Sequence, residues 1–144
     1  MRSEFKLLVF DWDGTLMDSE ARILDCVRAT VRELELETPT DNEIRNIIGL
    51  GLKEAVETLF PGADDSLVGQ VIEQYRHYFL HGDQTPSSLF PGAQTVLQEL
   101  AGRDYLLAVA TGKGRQGLDK VLEETGLEDL FHATRCADET FSKP

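Results

Sequence analysis

A chain of 144 residues, 41% hydrophobic, can bury a core, but 14 basic residues against 26 acidic ones leave a net charge of −12. That sign excludes a general nucleic-acid or anionic-membrane binder, which must meet phosphate with a positive face, although a small phosphorylated substrate needs only a local cation, a metal or a helix N-terminus. Cys26 and Cys136 stand far apart and read as reduced thiols, and neither a signal-peptide pattern nor a run of ~20 apolar residues is present, so a soluble cytoplasmic protein is expected.

Leu7-Leu8-Val9-Phe10 is a short apolar run that predicts a strand buried on both faces, and it stops at Asp11-Trp12-Asp13-Gly14-Thr15. Ser19 reads as the N-cap of a helix carrying Ile23, Leu24, Val27, Val31 and Leu34. Thr40-Asp41-Asn42-Glu43 has the form of a capping box ahead of Ile44, Ile47 and Ile48. Leu52 to Leu59 predicts a further short helix ended by Pro61-Gly62, and Val68 to Phe79 another. No strand is predicted between Ser19 and Gly82. Beyond Pro91-Gly92, a helix with Val96, Leu97 and Leu100 leads to a second strand, Leu106 to Ala110. Thr111-Gly112-Lys113-Gly114 then opens a helix that Gly126 closes, and Ala133 to Cys136 is a weaker strand. Strands alternating with helices imply right-handed crossovers and a parallel sheet. The fold class is therefore α/β: a Rossmann-like core from residues 1–18 and 84–144, with an α-helical insertion over 19–83.

Asp11 and Asp13 fall where the first strand ends, the edge at which open parallel sheets bind ligands. Gly14 lets the chain bend so that both carboxylates reach one site. Such a pair can hold Mg²⁺ through oxygen or divide into nucleophile and proton carrier; a solvated acidic loop is the plain alternative. Trp12, between them, is expected to pack locally with a partner for its N–H. Thr111 has the alternative of capping the helix that follows it, Lys113 and Arg115 read as surface charge, and Lys143 sits where chain ends are ordinarily solvated. His77 and His81 share a helical face without a third ligand nearby.

The apolar run with Asp-x-Asp-Gly-Thr, then Leu107-Ala108-Val109-Ala110-Thr111, then Ser142-Lys143-Pro144, resembles in order the three leading motifs of the haloacid dehalogenase superfamily. The helical insertion after the first motif is similar to the cap of its phosphoglycolate-phosphatase-like branch. The resemblance implies a Mg²⁺-dependent phosphomonoester hydrolase acting on a small phosphorylated metabolite. Asp11 would be the nucleophile that becomes an aspartyl-phosphate, and Asp13 the acid–base. Asp11 and the Asp13 carbonyl would be metal ligands, and Thr111 and Lys143 would hold the phosphoryl oxygens. Gly49-Leu50-Gly51-Leu52-Lys53 resembles the cap loop that enters the active site, which nominates Lys53 and Arg45 as substrate-reading residues. A pyrophosphatase, a sugar phosphomutase and a noncatalytic phosphoacceptor share these motifs.

The family's fourth motif, with further metal-binding aspartates, would follow the lysine by roughly 20–30 residues, and the sequence stops at Pro144. Asp138 and Glu139 precede the lysine and have no spacing that makes them substitutes. A fragment of impaired activity is expected, its first strand left at a sheet edge and prone to self-association.

Overall fold

The structure is a computed structural model that describes residues 6–83 and 85–139. The two apolar runs form strands β1 (Leu7–Phe10) and β4 (Leu106–Ala110), and the weaker candidate forms β5 (Ala133–Arg135). They pair in parallel in the order β1-β4-β5, with Leu7 opposite Leu106 and Ala108 opposite Ala133. Helices α5 (Ala93–Gly102) and α6 (Arg115–Thr125) make the crossovers. Both cover the same side of the sheet. Leu97 of α5 and Leu118, Val121 and Leu122 of α6 join Leu107 and Val109 in one core, with Leu8 and Phe10 packed against it. Gly92 (φ +84°) opens α5 and Gly126 (φ +71°) closes α6 in left-handed backbone that favours glycine.

The expectation that β1 is buried on both faces fails. Leu7 and Val9 remain 51% and 57% exposed, and Leu106 beside them 46%. Two crossovers stepping in one direction place both helices on one side of a parallel sheet, and among the described residues nothing covers the other.

Between β1 and β4 the chain makes a two-stranded antiparallel ribbon that periodicity did not predict, β2 (Met17–Asp18) against β3 (Ser88–Leu89). Two-residue strands are too short to show alternation. The helical run lies between them: α1 (Glu20–Glu33), α2 (Asp41–Asn46), α3 (Leu52–Leu59) and α4 (Asp65–His77). The Thr40 capping box forms with both bonds in place. Ile23, Leu24, Val27 and Val31 of α1 meet Ile44 of α2, while Val56 of α3 meets Val68 and Val71 of α4.

Beyond α4 the chain continues as a π-helical turn, Tyr78–Gly82, closed by the Asp83 amide on the Tyr78 carbonyl. It delivers Phe79 to the junction with the sheet. Arg22, almost wholly buried in α1, donates to the Phe79 carbonyl at 2.9 Å, lies 4.2 Å from the centre of its ring, and pairs with Glu124 of α6 at 3.1 Å. Asp83 then ties the end of this segment to its beginning: Cys26 Sγ donates to Oδ2, and the Thr85 amide and hydroxyl donate to Oδ1.

Burial raises the proton affinity of the Asp83 carboxyl, but the Thr85 donors and the Cys26 thiol outweigh it and hold the group below its ordinary 3.8. A carboxyl depressed in the folded state contributes stability above its unfolded pKa and loses it as pH falls through the folded value. Asp83→Asn should therefore lose less stability than wild type when urea unfolding is moved from pH 7 to below pH 3.8. Equal losses would remove Asp83 from the acid response.

Candidate functional site

Trp12 organises the loop after β1. Its ring is fully buried, lies edge-on to Phe131 at 6.3 Å, and donates through Nε1 to Met17 Sδ at 3.3 Å. Its carbonyl accepts the amides of Thr15, Leu16 and Met17, and Gly14 turns the chain at φ +77°. With Trp12 fixed inward, Asp11 stays exposed and Asp13 half-buried at the C-terminal edge of the sheet. The Trp12 amide donates to Asp11 Oδ1 at 2.7 Å, while Oδ2 meets no donor among the described residues.

Asp13 is held from two sides. Ser19 Oγ donates to its Oδ1 at 2.6 Å, and Lys113 Nζ lies 3.1 Å from Oδ2 and 3.3 Å from Oδ1. Both side chains of the ion pair are only 10% exposed, and the Lys113 ammonium sits 4.2 Å from the centre of the Phe79 ring. Ser19 does stand at the N-cap position of α1, but it makes no side-chain capping bond. Its hydroxyl is spent on Asp13. Lys113, read from the sequence as surface charge, is thus a buried partner of the site. The one signal for it was a lysine set between two glycines just after the Thr at a strand end.

Thr111 does not cap α6, which starts at Arg115 with Gly114 as N-cap. Its amide donates to the Arg135 carbonyl at 3.0 Å and its hydroxyl accepts the Lys113 amide at 3.1 Å, fixing the turn that aims Lys113 back at Asp13. Gly112 lies against the loop between α2 and α3. A Cβ there would stand 2.7 Å from the carbonyl oxygens of both Gly49 and Leu50. A Cβ on Gly49 would come within 4.0 Å of Asp11 Oδ2. The loop between α2 and α3 therefore reaches Asp11.

Two hollows flank this contact. A wide cleft of about 780 Å³ is lined by Asp11, Lys53, Arg76, Thr111 and Arg135 among others. A second, of about 380 Å³, includes Asp13, Thr111 and Lys113 and runs in among the helices of the insertion. Of the residues nominated from the sequence, Asp11, Asp13 and Thr111 come together. Lys53 lies on the wall of the wide cleft, exposed and 3.9 Å from Glu57. Arg45 lines neither hollow; its guanidinium is bonded to Glu20 on the outside of the insertion. Lys143 lies outside the described residues. His77 and His81 are exposed, their ring centres 5.9 Å apart.

Cys136, Asp138 and Glu139 also cluster, but their bonds are with the fold. Asp138 accepts the Arg115 amide at the start of α6, and Glu139 accepts the Arg115 guanidinium at 2.6 Å and the Cys136 amide at 2.9 Å. The Arg115 bond holds the Glu139 carboxyl below its ordinary range. Burial, against the pull of Arg115, pushes the Cys136 thiol up to about 11. Arg115, the other presumed surface charge, also grips Thr134 through its hydroxyl and carbonyl, joining α6 to β5.

Residues 8–144 match the family model of haloacid dehalogenase-like hydrolases. The chain belongs to that family. Among haloacid dehalogenase-like relatives, it is 34% identical over 135 residues to the probable phosphatase IndB of Dickeya dadantii, covering 92% of this chain and 59% of that protein. It is 30% identical over 142 residues to a phosphoglycolate phosphatase of Mannheimia succiniciproducens, covering 93% of this chain and 63% of that one. The crystal structure of a predicted phosphatase from Clostridium acetobutylicum superposes with a TM-score of 0.85 at 25% identity, covering 97% of this chain and 65% of that one. The chain spans about three fifths of the length of the curated relatives it matches. No helix among the described residues is long and apolar enough to cross a membrane.

The Gly112 contact can be tested by stability. Gly112→Ala should cost about 1–3 kcal/mol in urea unfolding, because its Cβ meets backbone oxygens on a separate loop. Gly69→Ala, inside α4 with open space at its Cβ, should instead stabilise by about 0.5–1 kcal/mol. A neutral Gly112→Ala would mean that the two loops are not in firm contact in solution.

Proposed function

We propose that the protein is a phosphatase that hydrolyses a small phosphate monoester through an aspartyl-phosphate on Asp11. The observation that carries this reading is the division between the two aspartates. Asp11 is exposed with one oxygen uncommitted, whereas Asp13 is pinned by Ser19 and Lys113. A nucleophile must be reachable by phosphorus, and an acid–base must be held at a fixed place beside it.

In the first half-reaction, Asp11 Oδ2 bonds to phosphorus as the ester P–O bond breaks, and Asp13, which must first take up a proton in place of its ion pair with Lys113, passes that proton to the departing oxygen. In the second, water bonds to phosphorus, Asp13 takes the water proton, and the P–O bond to Asp11 breaks, returning the carboxylate and free phosphate. Thr111 and Lys143 are assigned the phosphoryl oxygens. Lys53, Arg76 and Arg135 lie on the wall of the wide cleft together with Glu54, Glu57 and Asp138. Lys53 is kept as a substrate-reading residue. Arg45, committed to Glu20, would have to exchange that partner to serve as one.

Mg²⁺ suits the donors in kind: the uncommitted oxygen of Asp11 and the carbonyl of Asp13 are the hard oxygens this ion selects. When bound, it would neutralise phosphate charge and let the Asp11 carboxylate approach. No group of three carboxylate, histidine or cysteine side chains forms around Asp11 among the described residues, so water or further ligands would complete its shell.

Asp11→Asn should abolish Mg²⁺-dependent phosphate release while leaving the circular-dichroism spectrum unchanged, and Asp13→Asn should reduce turnover by about 10²–10⁴-fold. Stoichiometric labelling of Asp11 without turnover would favour a phosphoacceptor instead. Near-normal activity of Asp11→Asn would falsify the covalent route.

The open side of the sheet carries a second expectation, self-association. Leu7, Val9 and Leu106 present apolar surface beside an edge of β1 that pairs with no strand among the described residues. Light scattering should find this chain larger than a monomer at micromolar concentration, and Val9→Glu should shift it toward the monomer. Wild-type monomers at those concentrations would remove the expectation.

A further inference from the structure

The hollow next to Asp13 has a chemistry of its own. Its charged lining is confined to one end. Asp13 and Lys113 form their ion pair there, and Arg76 Nη2 and Asp138 Oδ2 lie 3.7 and 3.4 Å from the position a Cβ on Gly114 would take. The rest of the wall is mainly hydrocarbon from α1, α3 and α4, including Val27, Val31, Val56, Leu59 and Val71. Tyr75 also lines it, and burial pushes that phenol well above its ordinary value, so it stays neutral. A partly open hollow of about 380 Å³ with a largely aliphatic wall offers water few hydrogen-bond partners away from its charged end and suits apolar matter there. Left empty, it forfeits the packing that the same side chains would gain by closing.

The two aspartates face different hollows. Asp11 lines the wide cleft and not the apolar chamber; Asp13 lines the chamber and not the wide cleft. In-line displacement at phosphorus puts the attacking and leaving oxygens on opposite sides. If Asp11 attacks from the wide cleft, the leaving oxygen emerges on the side of Asp13, and what it carries points into the chamber. We infer that the substrate is the phosphate ester of an alcohol with an apolar body, such as a short alkyl chain or an aromatic ring, that fills this chamber. The inference rests on the phosphatase reading for the direction of the ester, and on the chamber's lining for its chemistry. A charged group on the leaving alcohol would meet Lys113 and Arg76 only at the end beside Asp13, and no cation along the hydrocarbon wall beyond it.

The test separates the two. Calorimetric titration with methylphosphonate and n-hexylphosphonate, neither of which can be hydrolysed at an ester bond, reads the chamber without turnover. Each buried methylene is worth about fourfold in affinity, so hexylphosphonate should bind at least about tenfold more tightly than methylphosphonate. Val56→Phe should collapse that ratio by filling the chamber, and Ile47→Phe serves if the first variant fails to fold by circular dichroism. In parallel, phosphate release is measured for methyl, propyl and hexyl phosphate and for 2-phosphoglycolate, with kcat/KM expected to rise along the alkyl series. Equal affinity for the two phosphonates, or a preference for 2-phosphoglycolate over hexyl phosphate, overturns the inference. A retained hexyl preference with no phosphate released from any ester sustains the chamber as an apolar-ligand site and removes the phosphatase reading alone.

Discussion

The contact between Asp13 and Lys113 fixes the geometry on which the site depends. It joins the loop after β1 to the loop after β4, two segments a hundred residues apart in sequence. Ser19 brings in the start of α1, and Phe79, under the Lys113 ammonium, brings in the turn that follows α4. A carboxylate removed this far from solvent needs a partner and a donor for its remaining lone pairs. Both are supplied, and both come from outside the strand that carries it. The same ring that receives Lys113 also receives Arg22, so the inserted helices and the sheet are coupled through one aromatic side chain.

Steric exclusion complements this electrostatic tie. Gly112 allows the loop between α2 and α3 to lie directly on the turn after β4, with the Gly49 and Leu50 carbonyl oxygens where a side chain would otherwise be. That contact divides the space beneath the insertion into two parts of different polarity. One holds the exposed aspartate among charges of both signs; the other holds the pinned aspartate and opens onto hydrocarbon.

The sheet shows the opposite economy. Right-handed crossovers place α5 and α6 on one face, and that face is where the core lies. The other face keeps its apolar residues in the open.

The sequence alone determined the three strands of the parallel sheet, the α-helices and the place of Asp11, Asp13 and Thr111 at strand ends, because these depend on local periodicity and on where an apolar run stops; the two-residue strands β2 and β3 are too short to carry such a signal. It also set the Thr40 capping box, the bend at Gly14, the helix stop at Gly126 and the local packing of Trp12, each a matter of a few neighbouring residues. Only the tertiary structure decided which cations serve the site. Lys113 is indistinguishable from a surface lysine until the turn at Thr111 folds it onto Asp13, and Arg45 is a candidate until Glu20 claims it. The Ser19 hydroxyl had two acceptable uses, and the nearness of Asp13 chose between them. The one-sided burial of β1 and the apolar chamber were likewise beyond the sequence, since a hydrophobic residue reads the same whether it faces a helix, a void or water.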